Sequence, residues 1–154
     1  MRGNGCAVSI GMVTTPRYGT GDASYRAAGE RDGIYRLVRR FYEHMETLDE
    51  ARGIRAMHAA DLTEVREKLA VFLCAWLGGP NEYRALFGPI SIPGFHARFA
   101  IDEAARDAWL LCMARAVDEQ PWAADFKRYF LQAISVPADR CRVASLMRTA
   151  GVPE

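Results

Sequence analysis

Ile34, Leu37, Val38, Phe41, Tyr42 and Met45 recur at the spacing of one helix face. That 3.6-residue period does not suit a strand, whose side chains alternate every second residue. Arg36, Arg39, Arg40, Glu43 and His44 lie outside the stripe. The helix expected over residues 32–47 therefore has one apolar face to bury. A short helical turn is expected over 50–56. A second long helix is expected from Asp61, where Asp61 and Glu64 resemble a capping box. Its face carries Leu62, Val65, Leu69, Phe72, Leu73 and Trp76, and Gly78-Gly79-Pro80 closes it. A brief helix is expected at 82–87. A third long helix, over 102–119, shows Ala105, Trp109, Cys112, Met113 and Ala116 on one side. A fourth is expected to open at Pro121, a favourable first helical position, with Trp122, Phe126, Tyr129, Phe130, Ala133 and Ile134 inward. Pro137 is expected to end or kink it before a last helix over 138–148. No segment alternates as a strand would, so the class is all-α.

The chain has 154 residues, enough for one domain. Residues 1–22 are rich in Gly, Thr and Pro and show no period. They are expected to form a disordered or loosely attached extension to a domain over 23–150. The net charge of +1 argues against a nucleic-acid partner, which needs uncompensated Lys and Arg. The longest apolar run, Leu69 to Leu77, falls short of the roughly 20 residues needed to span a bilayer, and no signal peptide is expected. Cys6, Cys74, Cys112 and Cys141 form no Cys-x-x-Cys pair. Cys74 and Cys112 read as buried small hydrophobes in a reduced, cytoplasmic protein.

The chemistry has few places to reside. No phosphate-cradling Gly loop, no His-x-x-x-His and no Gly-x-Ser-x-Gly elbow is present. Three histidines remain: His44, His58 and His96. His44 lies off the apolar face and reads as a solvated side chain. His58 precedes the second long helix. His96 follows the long Pro- and Gly-containing stretch from Gly78 to Phe95, a connection whose length points to function.

Several fragments then stand in a telling order. Phe41-Tyr42 closes an apolar face. Trp76-Leu77-Gly78-Gly79-Pro80 follows, with Tyr83 just after it. His96-x-x-Phe99-x-Ile101 and Arg106-Asp107-Ala108-Trp109 complete the series. From about Ser24 to Val117 the chain resembles the group II truncated haemoglobins. The resemblance implies a truncated globin, a two-over-two helical sandwich around haem b. It makes His96 the proximal iron ligand and places Tyr42, Trp109 and His58 on the distal, gas-binding side. It makes Phe41, Val65, Leu69, Phe72, Phe99 and Met113 the lining of the haem pocket.

The chemistry agrees with that assignment. A porphyrin needs apolar walls and one axial base, and imidazole is the usual base for gas binding. Val65 and Leu69 share a helix face. Phenol and indole donors favour a bound dioxygen that carries partial negative charge. The chain departs from the family where Gly88-Pro89-Ile90-Ser91-Ile92-Pro93-Gly94-Phe95 replaces a stretch that usually brings arginines toward the haem propionates. Arg98 or Arg84 is expected to take over that contact.

The resemblance implies reversible binding of O2 and related ligands such as NO and CO, by a monomer or homodimer, serving oxygen binding or transport. An enzymatic alternative is NO dioxygenase or peroxidase-like turnover, which needs an external reductase. A second alternative is a helical interaction domain without haem.

Overall fold

The computed structural model describes residues 17–89 and 101–149, with side chains as far as 147. Seven α-helices are found among them: Ala23–Ala27 (α1), Glu30–Thr47 (α2), Arg52–Ala56 (α3), Thr63–Trp76 (α4), Tyr83–Phe87 (α5), Glu103–Asp118 (α6) and Ala124–Thr149 (α7). A single 3-10 turn, Asp49–Ala51, leads into α3. The described residues contain no strand, and none of their helices is long and apolar enough to cross a membrane.

The packing follows the apolar stripes. Ile34, Leu37, Val38, Phe41, Tyr42 and Met45 are all buried on α2, which packs against both α4 and α6, while α6 packs on α7. Two helix pairs thus share one core, the two-over-two arrangement of a truncated globin. Ala105, Ala108, Cys112, Met113, Ala116 and Val117 form the inner side of α6. Phe126, Phe130 and Ile134 form that of α7. Cys74, Cys112 and Cys141 are buried free thiols, and burial pushes all three up from the ordinary thiol range.

The helix ends differ from the expected ones for local reasons. α4 begins at Thr63, not Asp61. The Asp61 carboxylate accepts the Thr63 N–H at 2.9 Å and its hydroxyl at 2.6 Å, holding a turn ahead of the helix. Glu64 does not close the expected box with Asp61; it pairs with Lys68 at 2.8 Å. α7 begins at Ala124, because Trp122 is buried and its indole N–H donates to the Ala28 carbonyl at 3.0 Å. That bond ties the chain around Pro121 to the α1–α2 corner. α7 also runs through Pro137 to Thr149 as one helix, so no separate last helix forms. Proline removes one backbone bond, but Ile134 before it and Cys141 and Ser145 after it are buried, and that packing carries the helix across.

Two surface regions are more ordered than the sequence suggested. His44 is not freely solvated: its ring lies against Glu119, within a cluster that also holds Arg40 and Glu43. Residues 17–22 belong to the stretch expected as an extension. Within them, Tyr18 donates to Asp125 at 2.9 Å and packs on Phe126 and Tyr129. The rest of that expectation, for residues 1–16, lies outside the described residues.

Asp102 caps α6 by accepting the Ala105 N–H at 2.7 Å. Asp102→Ala is expected to cost about 1 kcal/mol. Thermal unfolding should then fall by roughly 2–4 °C, as circular dichroism would record.

Candidate functional site

Phe41 and Tyr42 occupy consecutive positions on α2 yet both point inward, at the wide centre of its apolar face. Phe41 is the hub of an aromatic cluster. Its ring centroid lies 4.9 Å from Tyr42, nearly edge-on, and 5.0 Å from Trp109 of α6. On the far side of Tyr42, the His58 ring stands at 6.0 Å in a T-shaped arrangement. Elements distant in sequence therefore bring Tyr42 and Trp109 against one phenylalanine, with His58 next in line against Tyr42.

The Tyr42 hydroxyl decides what this cluster is for. The residue is only 4 % exposed, and among the described residues no hydrogen bond reaches its oxygen. Burial pushes its pKa well above the ordinary phenol value, and the charge of Arg66 on α4 opposes the rise. Tyr42 is therefore a protonated donor at any physiological pH. No buried side-chain polar atom among the described residues lacks a partner, so the Tyr42 hydroxyl, which makes no hydrogen bond, opens onto accessible space and suits an arriving acceptor. The half-buried Trp109 indole N–H likewise makes no hydrogen bond to another described residue.

His58 is held differently. Its Nδ1 lies 2.7 Å from the Ile54 carbonyl oxygen. A carbonyl only accepts, so Nδ1 carries the proton. In the neutral ring Nε2 is then an acceptor with no proton to give. One side of His58 faces Tyr42. Another lines an open cleft of about 410 Å³ shared with Met45, Glu46 and Arg55.

α4 supplies a wall. Its buried positions Ala70, Leu73 and Cys74 join the shared core. Val65, Leu69 and Phe72 fall one and two turns apart on an adjacent stripe and stay half-exposed. Met113 is fully buried. Arg84 is exposed on α5 and forms no ion pair among the described residues. His96, Arg98 and Phe99 lie outside the described residues.

These residues fit a haem pocket: a partly exposed apolar wall and two aromatic donors, one of them with its hydroxyl open and its bond unmade. Two contributors were not singled out from sequence. Arg66 sets the charge near Tyr42, and its position next to Val65 was the available signal. Ser145, buried on α7, accepts the Ile101 N–H at 3.0 Å. It thereby ties α7 to the backbone just beyond His96, and nothing in the local sequence announced it.

Known proteins share this plan. The Bacterial-like globin family matches residues 23–138. The group 2 truncated hemoglobin YjbI of Bacillus subtilis (strain 168) is 30% identical over 117 residues, which is 76% of this chain and 86% of that protein. The group II 2-on-2 hemoglobin of the plant pathogen Agrobacterium tumefaciens is 36% identical, with a TM-score of 0.73 over 77% of this chain and 92% of that one. A truncated oxygen-avid haemoglobin from Bacillus subtilis superposes with a TM-score of 0.69 at 29% identity, over 77% of this chain and 94% of that one. The family match covers all of α1 to α6 and the first half of α7, and the chain belongs to the bacterial-like globins, among relatives that are truncated haemoglobins of group II.

Proposed function

We propose that the chain binds haem b through His96 and reversibly holds O2 or another diatomic gas on the side lined by Tyr42 and Trp109. The observation that carries this reading is the Tyr42 hydroxyl, on a ring packed beside Phe41, which also meets Trp109, and itself open to accessible space with no hydrogen-bond partner among the described residues. Haem, which His96 would hold, would supply an iron able to bind a diatomic gas.

The chain's own residues do the rest. Val65, Leu69 and Phe72 form an apolar wall that keeps water from the ring. Tyr42 and Trp109 aim neutral donors at the ligand. His58, with its Nδ1 proton committed to Ile54, leaves donation to the phenol and the indole. Arg84 and Arg98 are assigned to the propionates. A donor-rich pocket slows gas release, in keeping with the oxygen-avid character of the Bacillus subtilis relative.

The test is the visible spectrum of the purified, haemin-reconstituted protein, reduced, with and without CO. The expected result is a haem spectrum that CO shifts. Protein that stays colourless after reconstitution would overturn the proposal. Tyr42→Phe removes one donor and keeps the ring. With a hydrogen bond contributing about 1 kcal/mol net, and more in a dry pocket, O2 dissociation measured by stopped flow should quicken by roughly five- to tenfold. Trp109→Phe should act in the same direction.

A further inference from the structure

Trp76 continues the Val65, Leu69 and Phe72 stripe of α4 by one more turn and, like them, is half-buried. From it a series of rings in mutual contact crosses the domain. The Trp76 centroid lies 5.9 Å from Phe130, and Phe130 lies 5.5 Å from Trp122. Trp122 lies 5.0 Å from Phe126, and Phe126 5.1 Å from Tyr18. Every step falls within the roughly 4.5–7 Å of aromatic pairs in contact. One end of the series stands at the wall of the candidate pocket, and the other stands where Tyr18 meets solvent.

The kinds of ring, and their partners, give the series a direction. The rings that yield an electron most readily, Trp76, Trp122 and Tyr18, are separated by single phenylalanines. The Trp122 indole N–H donates to the Ala28 carbonyl at 3.0 Å. A carbonyl accepts a hydrogen bond but is too weak a base to take the proton. An oxidised Trp122 therefore keeps its positive charge and is readily reduced again by a neighbour. Tyr18 instead donates to the Asp125 carboxylate at 2.9 Å. A carboxylate can take that proton outright, so Tyr18 loses an electron and a proton together and becomes a neutral phenoxyl radical. An electron vacancy entering at Trp76 thus comes to rest at Tyr18. Tyr35 provides the contrast. Its hydroxyl donates to Glu67 at 2.7 Å, the same proton chemistry, but it touches no ring of this series among the described residues.

We propose that these rings carry electrons from Tyr18 to the wall of the pocket, so that small phenolic reductants are oxidised at Tyr18 while a hydroperoxide is reduced in the pocket. The hydroperoxide half rests on the haem reading; the path of rings does not. In each pass Tyr18 gives one electron to the series and its phenolic proton to Asp125. One reductant molecule then returns a hydrogen atom to the phenoxyl oxygen, and Asp125 releases its proton to water. Two passes deliver two electrons, and the two released protons complete the conversion of hydrogen peroxide to two molecules of water. Two reductant molecules leave as phenoxyl radicals.

The path can be tested in the full chain without haem. Cys6→Ser removes a competing thiol, and Phe72→Cys, one turn from Trp76, carries a ruthenium photo-oxidant. Cys74, Cys112 and Cys141 are buried. After a flash, nitroso spin trapping and mass spectrometry should find the adduct at Tyr18 in preference to Tyr35. That preference should exceed by about tenfold the one given by the same complex free in solution, which reports surface access alone. Trp122→Phe keeps a ring in place and should return the preference to the free-complex value. Asp125→Asn removes the base and should lower the Tyr18 yield while circular dichroism stays unchanged. In the haemin-reconstituted native chain, hydrogen peroxide should give the same preference for Tyr18. A tethered oxidant that shows no excess over the free complex would overturn the path. A tethered preference with none from peroxide would overturn its use by the pocket. A chain that takes up no haem would defeat the haem reading and the peroxide half with it, and the tethered measurement would still decide the path.

Discussion

If His96 holds haem as proposed, replacing it with glycine is expected to remove most of the protein's hold on the cofactor. Removing even an outer-shell partner of a metal ligand costs about 10- to 100-fold in affinity, so loss of the ligand itself should exceed about 100-fold. Neither remaining histidine is a ready replacement. His44 is bound to Glu119 on the surface, and His58 stands beside Tyr42 with its Nδ1 engaged by the Ile54 carbonyl. Haemin titration would give the loss of affinity. Added imidazole should restore the coordination spectrum by entering the space left by the side chain, which separates a missing ligand from a misfolded protein. A His96→Gly protein that binds haem with an unchanged iron coordination spectrum would defeat the proximal assignment.

The largest expected loss of stability lies elsewhere, at Gly78. Its φ of +92° is in the left-handed region, and a Cβ there would sit 1.9 Å from the Gly21 carbonyl oxygen. The close approach is structural. The Tyr25 N–H donates to the Leu77 carbonyl at 3.0 Å, clasping the end of α4 against α1. Gly78→Ala therefore adds left-handed strain of about 1–2 kcal/mol to an overpacking cost of about 1–3 kcal/mol. A total near 3 kcal/mol should lower the unfolding temperature by roughly 6–12 °C. Gly53 provides the contrast: it lies in α3, and a Cβ there meets nothing within 4 Å. Gly53→Ala should leave stability unchanged or raise it by up to about 1 kcal/mol. Equal losses from the two substitutions would show that the Gly78 clasp is not what holds this corner.

The apolar stripe of α2 was legible in full, because a 3.6-residue period reports burial directly. The third long helix was legible from 102, and the structure adds that Asp102 is its cap, accepting the Ala105 N–H. The boundaries that moved were set by contacts remote in sequence or by side chains competing for backbone. Trp122 is drawn out of α7 by the Ala28 carbonyl, and burial on both sides of Pro137 outweighs the proline. For the site, periodicity marked Tyr42 and Trp109 only as inward-facing. The order of motifs along the chain was needed to group them, and the structure adds that both rings meet Phe41. The His58 tautomer was not legible, because it depends on where the Ile54 carbonyl points.

The bond from the Ile101 N–H to Ser145 gives the far end of α7 a mechanical duty. Ser145 lies two turns past Pro137, on the part of the helix that a proline break would have set adrift. Because the helix stays whole, its last turns work as a splint for the backbone at Ile101. A truncation before Ser145 would therefore release the backbone at Ile101 while Phe41, Tyr42, Trp109 and His58 kept their mutual contacts.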